Sequence, residues 1–394
     1  MKYWLYAIII FIVGCSGSQE ASPTENWQKG NLHTHTLWSD GDDYPEMVIS
    51  WYKKNGYNFL ALSDHNTFQD NEMWVPVTKS PQRIRAFENY LKEFGEDWVV
   101  SREDSAGTEV KLKSYSEFGV LQDSSFILIR GEEITNRFED KPIHINASNL
   151  QKFVEPQTGE SVLEVMQKVI DEVNTQRNET GVPMFPHINH PNFGWGISLS
   201  DMVNLNGERF FEVYNGHPAV NNYGDVTHLS TEEMWDQINL AYIRDGKPLM
   251  YGIATDDSHN YHMMGAEFSN SGRGWVMVNS KDLSPNSLIE SMEKGNFYAS
   301  SGVELENFII TKNEYSFSIK GREELKYTVR FIGAMNGDTE ITILKETEGI
   351  NPSYTFTGNE QFVRAVVTSN ELQVNPFQIG DFEKAWTQPI IPLR

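Results

Sequence analysis

Cysteine is almost absent from this sequence of 394 residues, in which Cys15 is the only one. A chain with one cysteine forms no intrachain disulfide, and it offers no set of thiolates for a metal site. Any metal centre must therefore be built from imidazole nitrogens and carboxylate oxygens.

Positive charge is also scarce, because 32 Lys and Arg residues stand against 55 Asp and Glu residues, for a net charge of −23. So acidic a chain argues against a protein that follows nucleic-acid phosphates with a basic surface. An anionic substrate is not excluded, since bound divalent cations reverse the local field. We expect a small-molecule, anionic substrate and do not expect nucleic acid as a partner.

Long apolar runs are missing, apart from residues 5–13, which are too few to cross a bilayer comfortably. This run follows Lys2 and ends at Ile12-Val13-Gly14-Cys15, which resembles a bacterial lipobox, the signal for lipid attachment to cysteine. We expect an exported lipoprotein, periplasmic or on the cell surface, anchored to the lipid bilayer through acylated Cys15. Residues 1–20 are then the signal peptide and the start of the tether, and residues 21–30 a linker.

Two histidines follow the first predicted strand, in the stretch Asn31-Leu32-His33-Thr34-His35. In a strand, side chains two residues apart point to the same face, so His33 and His35 would present two imidazoles to one metal ion. Asp40 follows on the next loop. The pattern gains weight because later predicted strands also end in polar, ligand-type residues.

Apolar strands and amphipathic helices alternate over the next 250 or so residues. Strands are predicted at 57–62, 126–129, 143–145, 182–186, 209–214, 249–254 and 274–278, and helices at 43–55, 161–174, 230–244 and 284–294. Residues 68–125 are expected to be an insertion over the site, with a helix at 82–94 and an irregular remainder. Strands that alternate with helices and deliver polar residues at their carboxyl ends are typical of a β/α barrel. With seven inner strand candidates, we expect an α/β fold with a distorted (β/α) barrel over residues 31–304.

Beyond Leu305 the pattern changes to short strands between turn residues with no helix among them. Such a pattern is typical of a small antiparallel β domain. We therefore assign residues 305–394 to a β-rich C-terminal domain that packs against or anchors the rest.

The ligand-type residues collected from the predicted strand ends include six of the ten histidines. They are His33, His35, Asp40, His65, Glu133, His144, His190, Asp257 and His259. Imidazole and carboxylate without thiolate suit zinc, manganese or iron, and nine ligands are too many for one ion. The set predicts two or three divalent metal ions.

The order of these residues resembles the PHP family, the polymerase and histidinol phosphatase domain of metal-dependent phosphoesterases. The matching pieces are His-Thr-His with Asp40, Ser-Asp-His at 63–65, Gly-x-Glu at 131–133, His144, His190-Pro191 and Asp-x-His at 257–259. The resemblance spans residues 30–302 and implies a distorted barrel with a trinuclear site at the carboxyl ends of its strands.

Carried over position by position, the resemblance implies three metal positions. One would be held by His33, His35, Glu133 and Asp257, a second by Glu133, His144 and His190, and a third by Asp40, His65 and His259. It also selects Glu133 over Glu132, His190 over His187, and Asp257 over Asp256. The residues not selected are expected to support the ligands or other loops.

Two further residues are candidates for catalysis. Asp64 precedes a predicted metal ligand, and we expect it to orient that ligand or a metal-bound water. Arg273 could hold an anionic substrate oxygen, or it could be a surface charge on a loop. Asn215 and His217 are weaker candidates for lining the pocket.

The function that the resemblance implies is hydrolysis of a phosphate mono- or diester by a metal-bridging hydroxide. One alternative is hydrolysis of an amide or carbamate on the same fold. Another is a lipoprotein that binds metal or ligand without turnover, although a binder needs fewer than nine ligand positions.

Overall fold

The computed structural model describes residues 25–77, 80–105, 107–322 and 324–392, so the predicted lipidation site at Cys15 lies outside the described residues. The strands are β1 (Trp27–Asn31), β2 (Phe59–Leu62), β3 (Trp74–Pro76), β4 (Ser101–Asp104), β5 (Gly107–Lys111), β6 (Ile127–Phe138), β7 (Lys141–Ser148), β8 (Phe185–Ile188), β9 (Phe210–Asn215), β10 (Tyr251–Thr255), β11 (Trp275–Asn279), β12 (Phe297–Ser300), β13 (Leu305–Ile310), β14 (Glu314–Ile319), β15 (Tyr327–Met335), β16 (Thr342–Glu348), β17 (Ser353–Thr355), β18 (Glu360–Leu372) and β19 (Phe382–Thr387). The helices are α1 (Pro45–Lys54), α2 (Pro81–Phe94), α3 (Tyr115–Phe118), α4 (Val162–Thr180), α5 (Leu199–Asn204), α6 (Thr231–Arg244) and α7 (Pro285–Glu293).

Local sequence signals set the ends of the longer helices. The side chain of Ser161 accepts a hydrogen bond from the Glu164 backbone N–H at the start of α4, and Gly181 ends that helix in the left-handed conformation, with φ of 68°. Ser230 and Glu233 form a reciprocal capping box at the start of α6. The predicted helices therefore begin where the sequence places them, although α4 runs one turn and a half further than predicted.

Within the described ranges, the main sheet has thirteen strands in the order β10-β9-β8-β7-β6-β2-β1-β11-β12-β19-β18-β15-β16. Strands β1, β2, β6, β8, β9 and β10 run in one direction, and β7 lies antiparallel between β6 and β8. Strands β6 and β7 form a hairpin, so no helix separates them and the alternation of strands and helices is interrupted there. The architecture is a mixed α/β fold with a large central sheet.

The strands in the first part of this sheet share a core. One apolar cluster takes side chains from β2, β6, β8, β9 and β10, together with β11 and α7. The segments after β1 and β10 also meet, since the His35 backbone N–H donates to Ser258 O and the Asp257 N–H donates to His33 O, each at 3.0 Å. A single bridge, Thr34 to Ser258, makes the pairing there, and β10 is otherwise at the end of the sheet.

The antiparallel strands predicted beyond Leu305 are present. They do not form a sheet of their own throughout, because β19 pairs with β12 and so extends the main sheet through β18, β15 and β16. Strands β13, β14 and β17 make a separate three-stranded sheet. The placement of a domain boundary at residue 305 stays a prediction.

The insertion between β2 and β6 is more regular than predicted, since β3, β5 and β4 form a small antiparallel sheet beside α2. Its apolar residues pack with Leu37, Trp38 and Tyr44. The Trp38 indole N–H also donates to Lys113 O at 3.1 Å. The insertion therefore supports the loop that carries Asp40.

Among the helices of the described ranges, none combines the length and the apolar character that a bilayer crossing needs.

Candidate metal centre

All nine predicted ligands lie close together where β1, β2, β6, β7, β8 and β10 meet, and we call this set the ligand cluster. Within the described residues, five overlapping groups of histidine and carboxylate side chains could each hold an ion, and every member of the ligand cluster belongs to one. His33 and His35 flank the bridging residue Thr34 beyond the end of β1, and Glu133 lies inside the long strand β6. The extended backbone at Thr34 sends both imidazoles to one side, as predicted.

Four donor atoms converge at the most buried point of the ligand cluster. His33 Nε2 lies 3.2 Å from both Glu133 Oε2 and Asp257 Oδ1. His35 Nε2 lies 3.0 Å from Glu133 Oε2 and 3.2 Å from Asp257 Oδ1. Tetrahedral ligands at ordinary zinc distances are about 3.3 Å apart, so this donor set fits one ion.

The second carboxylate oxygen of Glu133 faces a different pair of histidines. Glu133 Oε1 lies 2.9 Å from His144 Nδ1 and 3.6 Å from His190 Nε2. His144 Nδ1 is buried, and apart from this approach to Glu133 no described residue offers it a hydrogen-bond partner. A buried ring nitrogen close to a carboxylate and without a hydrogen bond fits a metal ligand.

The third group opens toward solvent. Asp40 Oδ1 lies 3.3 Å from His259 Nε2, and Asp40 Oδ2 lies 3.6 Å from His65 Nε2. The Asp40 side chain is 57% exposed and that of His65 24% exposed, whereas His35 is fully buried. The ligand cluster is therefore accessible from the side of Asp40 and His65.

Opposite charges at close range dominate the electrostatics of the ligand cluster. Burial disfavours the imidazolium of His33, but the carboxylates of Asp257, Glu212 and Glu133 outweigh it and raise the pKa of His33 well above its ordinary value. Burial likewise opposes ionisation of Glu133, but the surrounding histidines hold its pKa well below the ordinary value. The carboxylates are thus kept in the ionised form that binds cations.

Two supporting residues were not singled out in the sequence. Glu212 of β9 is fully buried and its Oε1 lies 2.6 Å from His33 Nδ1. Asn189 donates from Nδ2 to Glu133 Oε1 at 2.8 Å. The signal available for Glu212 was an acidic residue inside the apolar run Phe210–Tyr214, where an unpaired charge is very costly.

The three residues that the PHP resemblance did not select have different surroundings. Glu132 points away from Glu133 and accepts a hydrogen bond from the Val154 N–H at 3.0 Å, and burial raises its pKa to about 8. Asp256 accepts from the backbone N–H groups of residues 272–274 and organises that loop. His187 is buried next to Glu212, with 3.7 Å between Nε2 and Oε1.

The two predicted catalytic residues hold loops in place. Asp64 accepts hydrogen bonds from the Thr36 N–H at 2.7 Å and the Ser39 hydroxyl at 2.9 Å, so it shapes the loop between His35 and Asp40. Arg273 is 1% exposed and donates to Gly216 O at 2.7 Å and Gly265 O at 2.8 Å. These contacts contradict a surface position for Arg273 and oppose the expectation that it binds a substrate oxygen, because its guanidinium is used by backbone carbonyls.

The two weaker candidates do adjoin the ligand cluster. Asn215 donates from Nδ2 to Asp257 Oδ2 at 3.1 Å. The His217 ring centre lies 5.5 Å from that of His259, and burial together with neighbouring histidines lowers the pKa of His217 to about 4, against the attraction of Asp257. His217 is therefore a neutral imidazole near the open side.

The fold and the site together define a mixed α/β protein with a preassembled histidine and carboxylate cluster. No protein-family profile and no curated protein matches the chain. Solved structures similar to it include a two-domain protein of Bacteroides vulgatus that contains a predicted PHP-like metal-dependent phosphoesterase. The two chains are 15% identical with a TM-score of 0.41, and the match covers 92% of this chain and 95% of that one.

Two further solved structures are similar over smaller parts of the chain. One is a protein of Bifidobacterium adolescentis assigned as a metal-dependent phosphoesterase, at 14% identity and a TM-score of 0.27, covering 59% of this chain and 88% of that one. The other is an amidohydrolase of Chromobacterium violaceum, at 13% identity and a TM-score of 0.32, covering 68% of this chain and 96% of that one.

Proposed function

We propose that this protein is a metal-dependent hydrolase of the PHP type that cleaves phosphate mono- or diesters of small molecules. The observation that carries the proposal is the convergence of all nine motif residues, with Glu133 directing its two oxygens at different histidine groups. A carboxylate placed in this way is suited to bridging two ions. We propose two or three divalent ions, held at the positions that the PHP resemblance implies.

Divalent ions in the ligand cluster would supply an activated water and neutralise charge on the departing oxygen. The protein's own part is to hold the ligands and exclude bulk water. His33 and His35 are fully buried, so the inner part of the cluster is dry, and only Asp40 and its neighbours face solvent. His217, neutral and near this open side, is placed to contact a bound substrate.

The first test is metal content per chain, measured by plasma mass spectrometry on protein lacking residues 1–20. We expect two or three equivalents of zinc, manganese or iron. His33→Ala and Glu133→Ala should abolish hydrolysis of phosphate esters and leave the circular dichroism spectrum nearly unchanged. His228→Ala is the matched control, because His228 is an exposed histidine paired with Asp225. Full activity in either ligand variant, or no tightly held metal after reconstitution, contradicts the proposal.

A second candidate function is hydrolysis of an amide or carbamate, because the chain resembles some PHP proteins that have Gly-x-Glu-x-Thr before a histidine strand and perform that chemistry. This chain has the pattern at residues 131–135, and the Thr135 hydroxyl lies 2.5 Å from His65 Nδ1. Inorganic phosphate should inhibit a phosphoesterase as a product and affect an amidohydrolase much less. Metal bound without turnover on either class of substrate would favour a binding lipoprotein.

We further infer that β1, β2 and β6 to β10 form a distorted barrel, supported by their shared core and by the Thr34–Ser258 bridge. A crystal structure with the ends of β1 and β10 apart would contradict it. We also propose that the protein is exported and anchored to a membrane by an acylated Cys15. Mass spectrometry of the native protein should find a lipidated cysteine at its N-terminus, whereas an intact Met1 would refute the anchor.

A further inference from the structure

Glu212 is the hub of a hydrogen-bond network directly behind the ligand cluster. It is fully buried in β9, and its Oε1 is 2.6 Å from His33 Nδ1 and accepts from the Thr255 hydroxyl at 2.7 Å. Its Oε2 accepts from the His190 backbone N–H and from Asn215 Nδ2, each at 2.8 Å. One side chain thus joins four different parts of the site.

Glu212 accepts hydrogen bonds from Thr255, His190 and Asn215. Its fourth contact is the ring nitrogen Nδ1 of His33. An ionised carboxylate is an acceptor only and has about four lone-pair positions, so it satisfies the whole set. Because the carboxylate only accepts, His33 Nδ1 must carry a proton and donate it to Glu212. His33 Nε2 is then the nitrogen whose lone pair is available to an ion, and it is the one that faces Glu133 and Asp257.

The network reaches two more members of the ligand cluster. The His190 N–H bond fixes the backbone at the start of the loop after β8. Asn215 shares its Nδ2 between Glu212 and Asp257 Oδ2, at 2.8 and 3.1 Å. Glu212 therefore influences His33 directly, His190 through its backbone, and Asp257 through Asn215.

We propose that Glu212 is a positioning residue that sets the tautomer of His33 and holds three metal ligands in place without binding metal itself. The inference rests on the proposed metal-dependent function. The competing arrangement is an additional ion held by His33, His187 and Glu212, which also lie near one another. The distance of 2.6 Å between His33 Nδ1 and Glu212 Oε1 is that of a charge-assisted hydrogen bond, and it is shorter than the separation of about 3.3 Å between tetrahedral ligands of one ion.

The test compares zinc binding by the native protein and by Glu212→Gln, in competition with a chromophoric chelator. Glutamine keeps the shape of the side chain, but its amide N–H groups would face the donor groups from which Glu212 accepts hydrogen bonds. Supporting residues of metal ligands typically contribute 10- to 100-fold to affinity, so we expect dissociation constants raised by about that factor. At saturating zinc, the number of ions per chain should remain that of the native protein.

Glu208→Gln is the matched control, because Glu208 is also a buried glutamate, just before β9, and accepts hydrogen bonds from the backbone N–H groups of Arg209 and Phe210. Its zinc affinity should equal that of the native protein. If Glu212→Gln fails to fold, Thr255→Val removes one donor while Glu212 stays in place, and should weaken zinc binding up to about tenfold.

Each outcome decides the inference. Unchanged affinity in a folded Glu212→Gln protein overturns it, and so does the loss of one whole equivalent at saturating zinc, which would make Glu212 a ligand. The native protein could bind zinc without hydrolysing esters, while the variant binds zinc more weakly. That result refutes the proposed function and supports this inference. A native protein that binds none of zinc, manganese and iron refutes both.

Discussion

Arg364 of β18 and Asp236 of α6 form a buried, two-pronged ion pair, with 2.6 Å from Nε to Oδ1 and 2.7 Å from the terminal nitrogen to Oδ2. The Arg364 guanidinium also lies 4.7 Å from the centre of the Trp235 ring. Because Arg364 belongs to the antiparallel C-terminal region and Asp236 to a helix that packs against β9, the pair joins the two parts of the molecule.

Removing one partner of this pair should be strongly destabilising. Arg364→Met leaves Asp236 buried without its cation, and breaking a buried pair in this way typically costs about 3–5 kcal/mol. Replacing both residues, as Arg364→Met with Asp236→Leu, should cost less than the sum of the single changes. Urea unfolding followed by circular dichroism measures the free energies for this double-mutant cycle.

The matched control for that cycle is Arg330 and Glu346, an ion pair at 2.7 Å in which both side chains are about half exposed. Exposed pairs contribute at most about 1 kcal/mol, so Arg330→Met should change the free energy of unfolding little. Equal effects of Arg330→Met and Arg364→Met would show that the buried pair does not hold the C-terminal region to the rest.

The sequence allowed the ligand cluster to be predicted because each ligand lies in a short motif or follows an apolar run. His33 and His35 illustrate this, since two extended residues on one face need no knowledge of the remaining fold. Glu212 could not be assigned in this way, because its partners come from four segments and only the folded chain brings them together. The contacts of Arg273 could not be predicted for the same reason, as its acceptors are backbone carbonyls of distant loops.

The hairpin of β6 and β7 escaped prediction for a related reason. Polar residues and a glycine, from Arg130 to Glu133, follow the apolar run that begins β6, and the sequence therefore predicted that the strand ends at residue 129. In the structure the strand continues to Phe138, because Glu133 is satisfied by the histidines and Glu132 by the Val154 N–H. Alternation of strands and helices was expected from the pattern, but strand direction depends on these long-range contacts.

Glu132 should make the metal-free protein less stable as the pH rises. Its pKa is raised by burial to about 8, whereas in the unfolded chain it is about 4.3. Between these values the unfolded state releases the proton and the folded state keeps it, so stability falls with pH across this window and levels off above it. From pH 6 to pH 8 the loss from this group should be about 2 kcal/mol.

Glu132→Gln removes the ionisable group while Oε1 can still accept from the Val154 N–H. We therefore expect the difference in the free energy of unfolding between pH 6 and pH 8, measured by urea titration without metal, to shrink in this variant. Parallel pH dependence in the native and variant proteins would mean that Glu132 is ionised in the folded state.

Arg273 should support the loops around the site instead of binding substrate. Arg273→Lys retains a charge but loses most of the hydrogen bonds to Gly216 and Gly265, which a planar guanidinium makes simultaneously. We expect lower thermal stability and a lower kcat, with inhibition by inorganic phosphate unchanged. A rise in KM and in the inhibition constant of phosphate at native stability would instead assign Arg273 to the substrate oxygen.

Metal binding should weaken as the pH falls, starting above the ordinary histidine pKa of 6.5. Burial disfavours the charged forms of His33, His35, His65 and His259, but nearby carboxylates outweigh it and raise the pKa of each in the metal-free protein. A proton and a metal ion compete for the same ring nitrogen, so a raised pKa moves the loss of metal affinity to higher pH. Calorimetric titration of zinc near pH 7, in two buffers of different ionisation enthalpy, measures the protons released on binding. We expect more than one proton per chain. An apparent binding enthalpy that does not depend on the buffer would contradict this protonation of the ligand cluster.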